Sequence, residues 1–198
     1  MRTRLVLSAV LMLAAAIGGC QRRSDKVETP RTVVSAPAAP AIEAPTGFHH
    51  EAGFAATGYY MPARTIRVGA YQLSNITLGA PSDFAEWEGG RRSAEFGPVM
   101  VQFDDMSSPM QPNEMGGEAH SVNVRVLPSA YSVDSHTLAF AGEAAGVGPV
   151  VLQVRFDQEA LHHALDGGDP ATTPVAHGVL TVAGRRFENV SFTYFAGD

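Results

Sequence analysis

Apolar and polar residues alternate with a period of two along much of the chain. Val99, Val101 and Phe103 alternate with Met100, Gln102 and Asp104; Val122, Val124 and Val126 alternate with Asn123 and Arg125; and Val150, Leu152, Val154 and Phe156 are separated in part by Gln153 and Arg155. Successive side chains of a strand point to opposite faces, so each stretch predicts a strand with one buried face. Residues 59–68 and 71–78, rich in β-branched and aromatic side chains, predict further strands. Near the C-terminus, residues 178–182 and 187–195 flank Ala183-Gly184-Arg185-Arg186, a short glycine-containing connection that predicts a hairpin. Val190, Phe192 and Tyr194 then share one face and Asn189, Ser191 and Thr193 the other.

Two segments carry helix signals. Residues 82–88 have Ser82 or Asp83 as candidate N-cap, and residues 158–165 follow Asp157 and stop at Gly167-Gly168. Both are too short to persist without tertiary packing. Many short strands, Gly/Pro turns and few helices define the expected class as mainly β, an antiparallel β-sandwich or small barrel with one or two short helices.

The first part of the chain follows different rules. The apolar run of residues 5–17, opened by Arg2 and Arg4, falls short of the ~20 residues that a helix needs to cross a bilayer, and it suits the core of a signal peptide. From residue 21 to about 46, Pro30, Pro37, Pro40 and Pro45 stand among alanines with no aromatic residue, a composition that cannot build a core. Such segments favour the extended left-handed helix of ~3.1 Å per residue, so this one acts as a tether spanning on the order of tens of ångströms. The expected organisation is a signal peptide over residues 1–19, a tether over 20–46 and a single β-rich domain over 47–198. A domain of that length can bury roughly 68–70% of the surface of its unfolded chain.

Cys20 is the only cysteine, and Ile17-Gly18-Gly19-Cys20 resembles the lipobox of bacterial lipoproteins. That resemblance implies thioether lipidation of Cys20, cleavage before it and acylation of the new amino group. More than one acyl chain, at ~0.8 kcal/mol per buried methylene, gives stable anchorage. Gln21 follows the cysteine, where an aspartate would by family precedent favour the inner membrane, so the implied location is the periplasmic face of the outer membrane. Membrane association through the lipid anchor is the expected partnership. Arg22, Arg23 and Lys26 lie just beyond Cys20, where each could gain up to ~1 kcal/mol from anionic head groups.

Charge narrows the choice of partner. The chain carries 14 Lys and Arg against 20 Asp and Glu, a net charge of −6. Phosphate neutralisation needs clustered bases, so nucleic acid is not expected as a partner. No Gly-x-Ser-x-Gly elbow, His-Glu-x-x-His, phosphate-binding glycine loop or cysteine pair is present, and no catalytic residue is nominated. His49-His50 and His162-His163 are adjacent pairs whose members diverge in a strand or a helix, which makes them poor chelators. Asp104-Asp105 ends a predicted strand, where aspartate commonly accepts hydrogen bonds from the backbone of a turn.

The loop over residues 105–119 has unusual content. It holds Met106, Met110 and Met115, and His120 follows at the next strand. Thioether and imidazole are soft ligands that suit copper, Cu(I) above all, which makes these four residues the candidate metal set. The alternative expectation is that Met106 and Met110 fill gaps over the core.

Tyr131-Ser132-Val133-Asp134-Ser135-His136, with Leu138 and Phe140, looks like the opening strand of the YceI-like lipid-binding barrels. Residues 178–184, Gly-Val-Leu-Thr-Val-Ala-Gly, look like a later strand of them. The resemblance implies an exported barrel enclosing an isoprenoid chain, although only 68 residues remain from Tyr131 onward. Three functional expectations result. The first is a lipid-anchored envelope protein whose non-catalytic β-domain meets another envelope protein. The second is a carrier of an apolar small molecule in a barrel cavity, and the third is a copper-binding lipoprotein using the methionine loop.

Overall fold

In a computed structural model, residues 42–113, 116–167 and 172–197 are described. Thirteen strands and two helices follow one another as β1 (Phe48–His50), β2 (Gly58–Pro62), β3 (Arg67–Val68), β4 (Tyr71–Leu78), α1 (Pro81–Glu88), β5 (Val99–Asp105), β6 (Met110–Pro112), β7 (Glu118–His120), β8 (Asn123–Val126), β9 (Pro128–Val133), β10 (Thr137–Ala144), β11 (Gly148–Phe156), α2 (Gln158–Leu165), β12 (Pro174–Val182) and β13 (Arg185–Phe195). The main sheet runs β1-β9-β10-β11-β12-β13-β2-β4-β5-β8, with β3 beside β4. It curls into a half-barrel, so the fold is mainly β with two short helices, as the period-two pattern predicts.

All pairings in this sheet are antiparallel except β1 with β9, which is parallel. At one end of the order, β8 passes through Leu127 directly into β9, which lies next to the other end. That corner brings β8 against β10.

The inner face carries the core. Tyr60, Phe103, Tyr131, Phe140 and Phe192 are fully buried there with Ile76, Leu138, Leu152 and Leu180, and with the alternating valines of β5 and β11. At ~1.5–3 kcal/mol for each large side chain taken from water, this filling is what holds the curled sheet. Phe84 and Trp87 of α1 press on the β1–β9 edge: Phe84 stacks on His50 at 3.9 Å and meets Tyr131 edge-on at 5.5 Å, and Trp87 meets Phe48 at 6.2 Å. Leu161 and Ala164 do the same for α2 over β12 and β13.

Local chemistry explains where the structure departs from the sequence reading. α1 starts at Pro81 with Ala80 as N-cap, so neither Ser82 nor Asp83 holds that position. Proline suits the first helical position because it has no N–H to satisfy there, and the Asp83 carboxylate accepts the Ala80 N–H at 2.8 Å. Asp157 caps α2 as expected, accepting the Ala160 N–H at 3.1 Å. The C-terminal hairpin turns in two residues, not four: Ala183 and Gly184 both have positive φ, 48° and 79°, and Arg185 already pairs with Val182. The predicted strand over 59–68 is two strands, β2 and β3, because the chain leaves the sheet after Pro62. Val122, between β7 and β8, is 46% exposed: its carbonyl accepts the Asp105 N–H at 2.9 Å, but its side chain stays outside the core where the chain leaves the β6–β7 hairpin, a two-stranded unit inside what reads as a loop. β1 has no period-two run to announce it.

Candidate functional site

The methionine loop does not fill the core. Met110 in β6 is 49% exposed, which contradicts the reading of it as packing, and Met106 is half-buried in the turn after β5. The hairpin register sets Met110 opposite His120 of β7. Ser121 N–H donates to Pro109 O and Asn113 N–H to Gly117 O, so Met110 and His120 form a non-hydrogen-bonded pair, the type in which facing side chains come closest. His120 Nδ1 lies 3.0 Å from Ser108 O, an arrangement in which Nδ1–H donates to the carbonyl and the lone pair of Nε2 is left free. Two soft donors thus share one face of the hairpin. Met115 and Cys20 lie outside the described residues. Among the described residues no three of His, Cys, Asp and Glu gather as a metal site.

Other residues singled out from the sequence serve the backbone or the packing. Asp105 accepts from Ser107 Oγ at 2.5 Å and from Ser107 N at 2.9 Å, and these bonds hold its carboxyl below the usual range. His50 faces α1 while His49 is exposed, so the pair diverges as a strand requires. Two Ser–His contacts occur, Ser135 Oγ with His136 Nδ1 and Ser191 Oγ with His177 Nδ1, both at 3.0 Å. Among the described residues no carboxylate is bonded to the other nitrogen of either ring. A nucleophile activated by a base needs that third group to orient the imidazole.

Burial pushes the Tyr60 hydroxyl far above its ordinary pKa, with Tyr194 adding to the effect, and burial together with the bond to Glu88 does the same for Tyr131. Both phenols are structural donors, Tyr60 to Ala56 O at 2.8 Å and Tyr131 to Glu88 Oε1 at 3.0 Å. Tyr194 likewise donates to Thr57 O at 2.6 Å, so the Tyr60 and Tyr194 hydroxyls fasten the chain between β1 and β2 onto the sheet, and that of Tyr131 ties β9 to the end of α1. Trp87 Nε1 is a buried donor with no hydrogen-bond partner among the described residues.

What sequence reasoning missed lies on the outer face. The register places Phe195, Tyr59, Thr77 and Met100 in one row across β13, β2, β4 and β5. Tyr59, Met61 and Phe195 are 40%, 38% and 45% exposed, and the Tyr59 and Phe195 rings lie 6.2 Å apart. A groove of about 490 Å³ runs along this row past Gly79 and Asp83. A second, of about 290 Å³, shares Thr77, Gly79 and Asp83 and continues past Met100 to Phe96, which is 53% exposed beneath the Arg125 guanidinium. Outward strand positions are normally polar; here Tyr59, Met61, Phe195 and Met100 carry aromatic or thioether side chains, with Thr77 between Tyr59 and Met100 in the row and Phe96 in the connection from α1 to β5. The outward residues of β2 were readable as a Tyr59/Met61 alternation, but nothing in the sequence brings β13 and β5 alongside.

The class that these observations define is a β half-barrel with a filled interior and an apolar patch on its outer face. No family model, curated protein or solved structure matches the chain.

Proposed function

We propose that this chain is a lipid-anchored cell-envelope protein, held by Cys20 at the periplasmic face of the outer membrane, whose non-catalytic β-domain docks onto another envelope protein. The observation that carries the reading is the outer patch where Tyr59, Met61 and Phe195 stand exposed, with the two joined grooves that lead from it past Thr77 and Met100 to Phe96. Contiguous exposed apolar groups of this kind mark interaction surfaces, and aromatic and methionine side chains are the ones enriched there. The interior supports a surface role, because Phe103, Tyr131, Phe140 and Phe192 occupy the space that an enclosed apolar ligand would need. A protein partner is favoured over the bilayer for two reasons. The chain is acidic, at −6, and the proline-rich composition of residues 21–46 suits a spacer between lipid and domain.

The test uses the full-length chain in its envelope. A photo-crosslinking residue at Met61 should give one discrete adduct, and the adduct should vanish when Tyr59 and Phe195 are both changed to Ser. The same probe at Glu143, an exposed position of β10 on another part of the outer face, should give none. Absence of an adduct from Met61, or the same adduct from Glu143, would overturn the docking surface. In parallel, fatty-acid labelling should mark the wild type and miss Cys20→Ser; equal labelling would remove the anchor.

A further inference from the structure

A third groove, of about 350 Å³, opens on the outer face over β10, β11 and β12, beyond β13 from the apolar row. Two rows of the register build it. One is Thr137, Arg155, His177 and Ser191 on four successive strands; the other is Ala139, Gln153 and Val179. The first row is polar and basic. The second is small and largely apolar, which is why the surface dips there.

Arg155 sets this groove apart. Every other arginine among the described residues is occupied: Arg64 and Arg67 on carbonyls, Arg91 and Arg186 on Glu86 and Glu188, and Arg92, Arg125 and Arg185 over aromatic rings. Arg155 has no hydrogen bond, ion pair or ring contact among the described residues. It stands directly opposite His177, whose Nδ1 is held by the Ser191 hydroxyl at 3.0 Å. Among the described residues nothing neutralises the guanidinium, and in an acidic chain an arginine left without a partner is the exception. A guanidinium presents a planar fork of donors that matches a carboxylate, and His177 Nε2 can add a further contact.

We propose that this groove binds a small amphipathic anion: a carboxylate gripped by Arg155 and His177, with its apolar part laid over Ala139 and Val179. The volume lies at the lower end of the range of small-molecule sites, which limits the ligand to a short chain. A fatty acid and the C-terminus of a peptide ending in an aliphatic residue share this chemistry. The site is distinct from the docking row, and its failure would leave the docking proposal standing.

Binding is followed by amide NMR shifts of the full-length chain titrated with octanoate, with N-acetyl-leucyl-leucine and with octylamine. Octanoate or the dipeptide should move the amides of Gln153, Gly178 and Val179 saturably, and whichever binds tighter identifies the source of the carboxylate. Arg155→Gln, an exposed change that keeps the groove's bulk, should weaken binding about tenfold or more, and His177→Gln less. Octylamine, with the same chain and opposite charge, should leave these amides unmoved. Equal shifts from octylamine, binding unaffected by Arg155→Gln, or no saturable shift from either carboxylate would each overturn the proposal.

Discussion

Gly142→Ala tests the corner at which the half-barrel folds back on itself. An ideal Cβ on Gly142 would lie 2.3 Å from Leu127 O, 2.8 Å from Phe140 Cζ and 3.0 Å from Val126 Cγ1, whereas ordinary contacts begin near 3.4 Å. Leu127 O belongs to the backbone between β8 and β9, and Val126 and Phe140 are completely buried, so none of the three can swing aside. Overpacking of this kind costs ~1–3 kcal/mol, and a fixed backbone oxygen places the site at the upper end, about 3 kcal/mol. Replacing glycine also restricts the unfolded chain, which returns ~0.4–1 kcal/mol. The net loss is about 2 kcal/mol, and at ~2–4 °C per kcal/mol for a domain of this size the midpoint should fall by about 4–8 °C. Circular dichroism on heating and in urea measures it. Gly117→Ala, whose nearest contacts are at 3.4 Å, is the matched control and should stay within ~0.5 kcal/mol. A Gly142→Ala protein as stable as wild type would refute the reasoning, because β8 and β10 would then not be packed together at the corner.

Two other perturbations probe the core and a turn. Phe192→Ala removes a fully buried ring from the inner face of β13 and should cost ~3–5 kcal/mol in urea unfolding; a loss below ~1 kcal/mol would place that ring outside the core. At Asp134, partial burial acts to raise the carboxyl, but bonds from His136 N, Thr137 N and Thr137 Oγ outweigh it, and the group sits below the usual carboxylate range. Its contribution is therefore complete above the unfolded carboxylate value of ~3.9 and is lost as pH falls through the depressed folded value. Asp134→Asn should remove that share of the acid sensitivity, read as a flatter dependence of the urea midpoint on pH between neutrality and strong acid. An unchanged acid limb would show that the turn does not carry it.

Sequence alone determined the β class, because period-two alternation at residues 99–104 and 150–156 leaves one face to be buried whatever its partner. It also located the Asp157 cap of α2 and the inward set Val190, Phe192 and Tyr194, since cap chemistry and strand alternation are local properties. Strands without alternation escaped it: β1 is three residues long and depends on β9 and α1, and β6 and β7 are exposed on nearly every side chain. The start of α1 was misread because the proline at its first position mattered more than the preference of Ser82 or Asp83 for a cap. Met110 was misplaced since a thioether in a loop looks the same whether it caps a core or faces water.

The two surface sites belong to the tertiary structure alone. Tyr59 and Phe195 are separated by most of the chain and become neighbours only because β13 pairs with β2, and Arg155 faces His177 only because β11 and β12 pair across the α2 connection. Strand order is decided by which faces can be buried together, an energy summed over the whole sheet, and no local pattern records it.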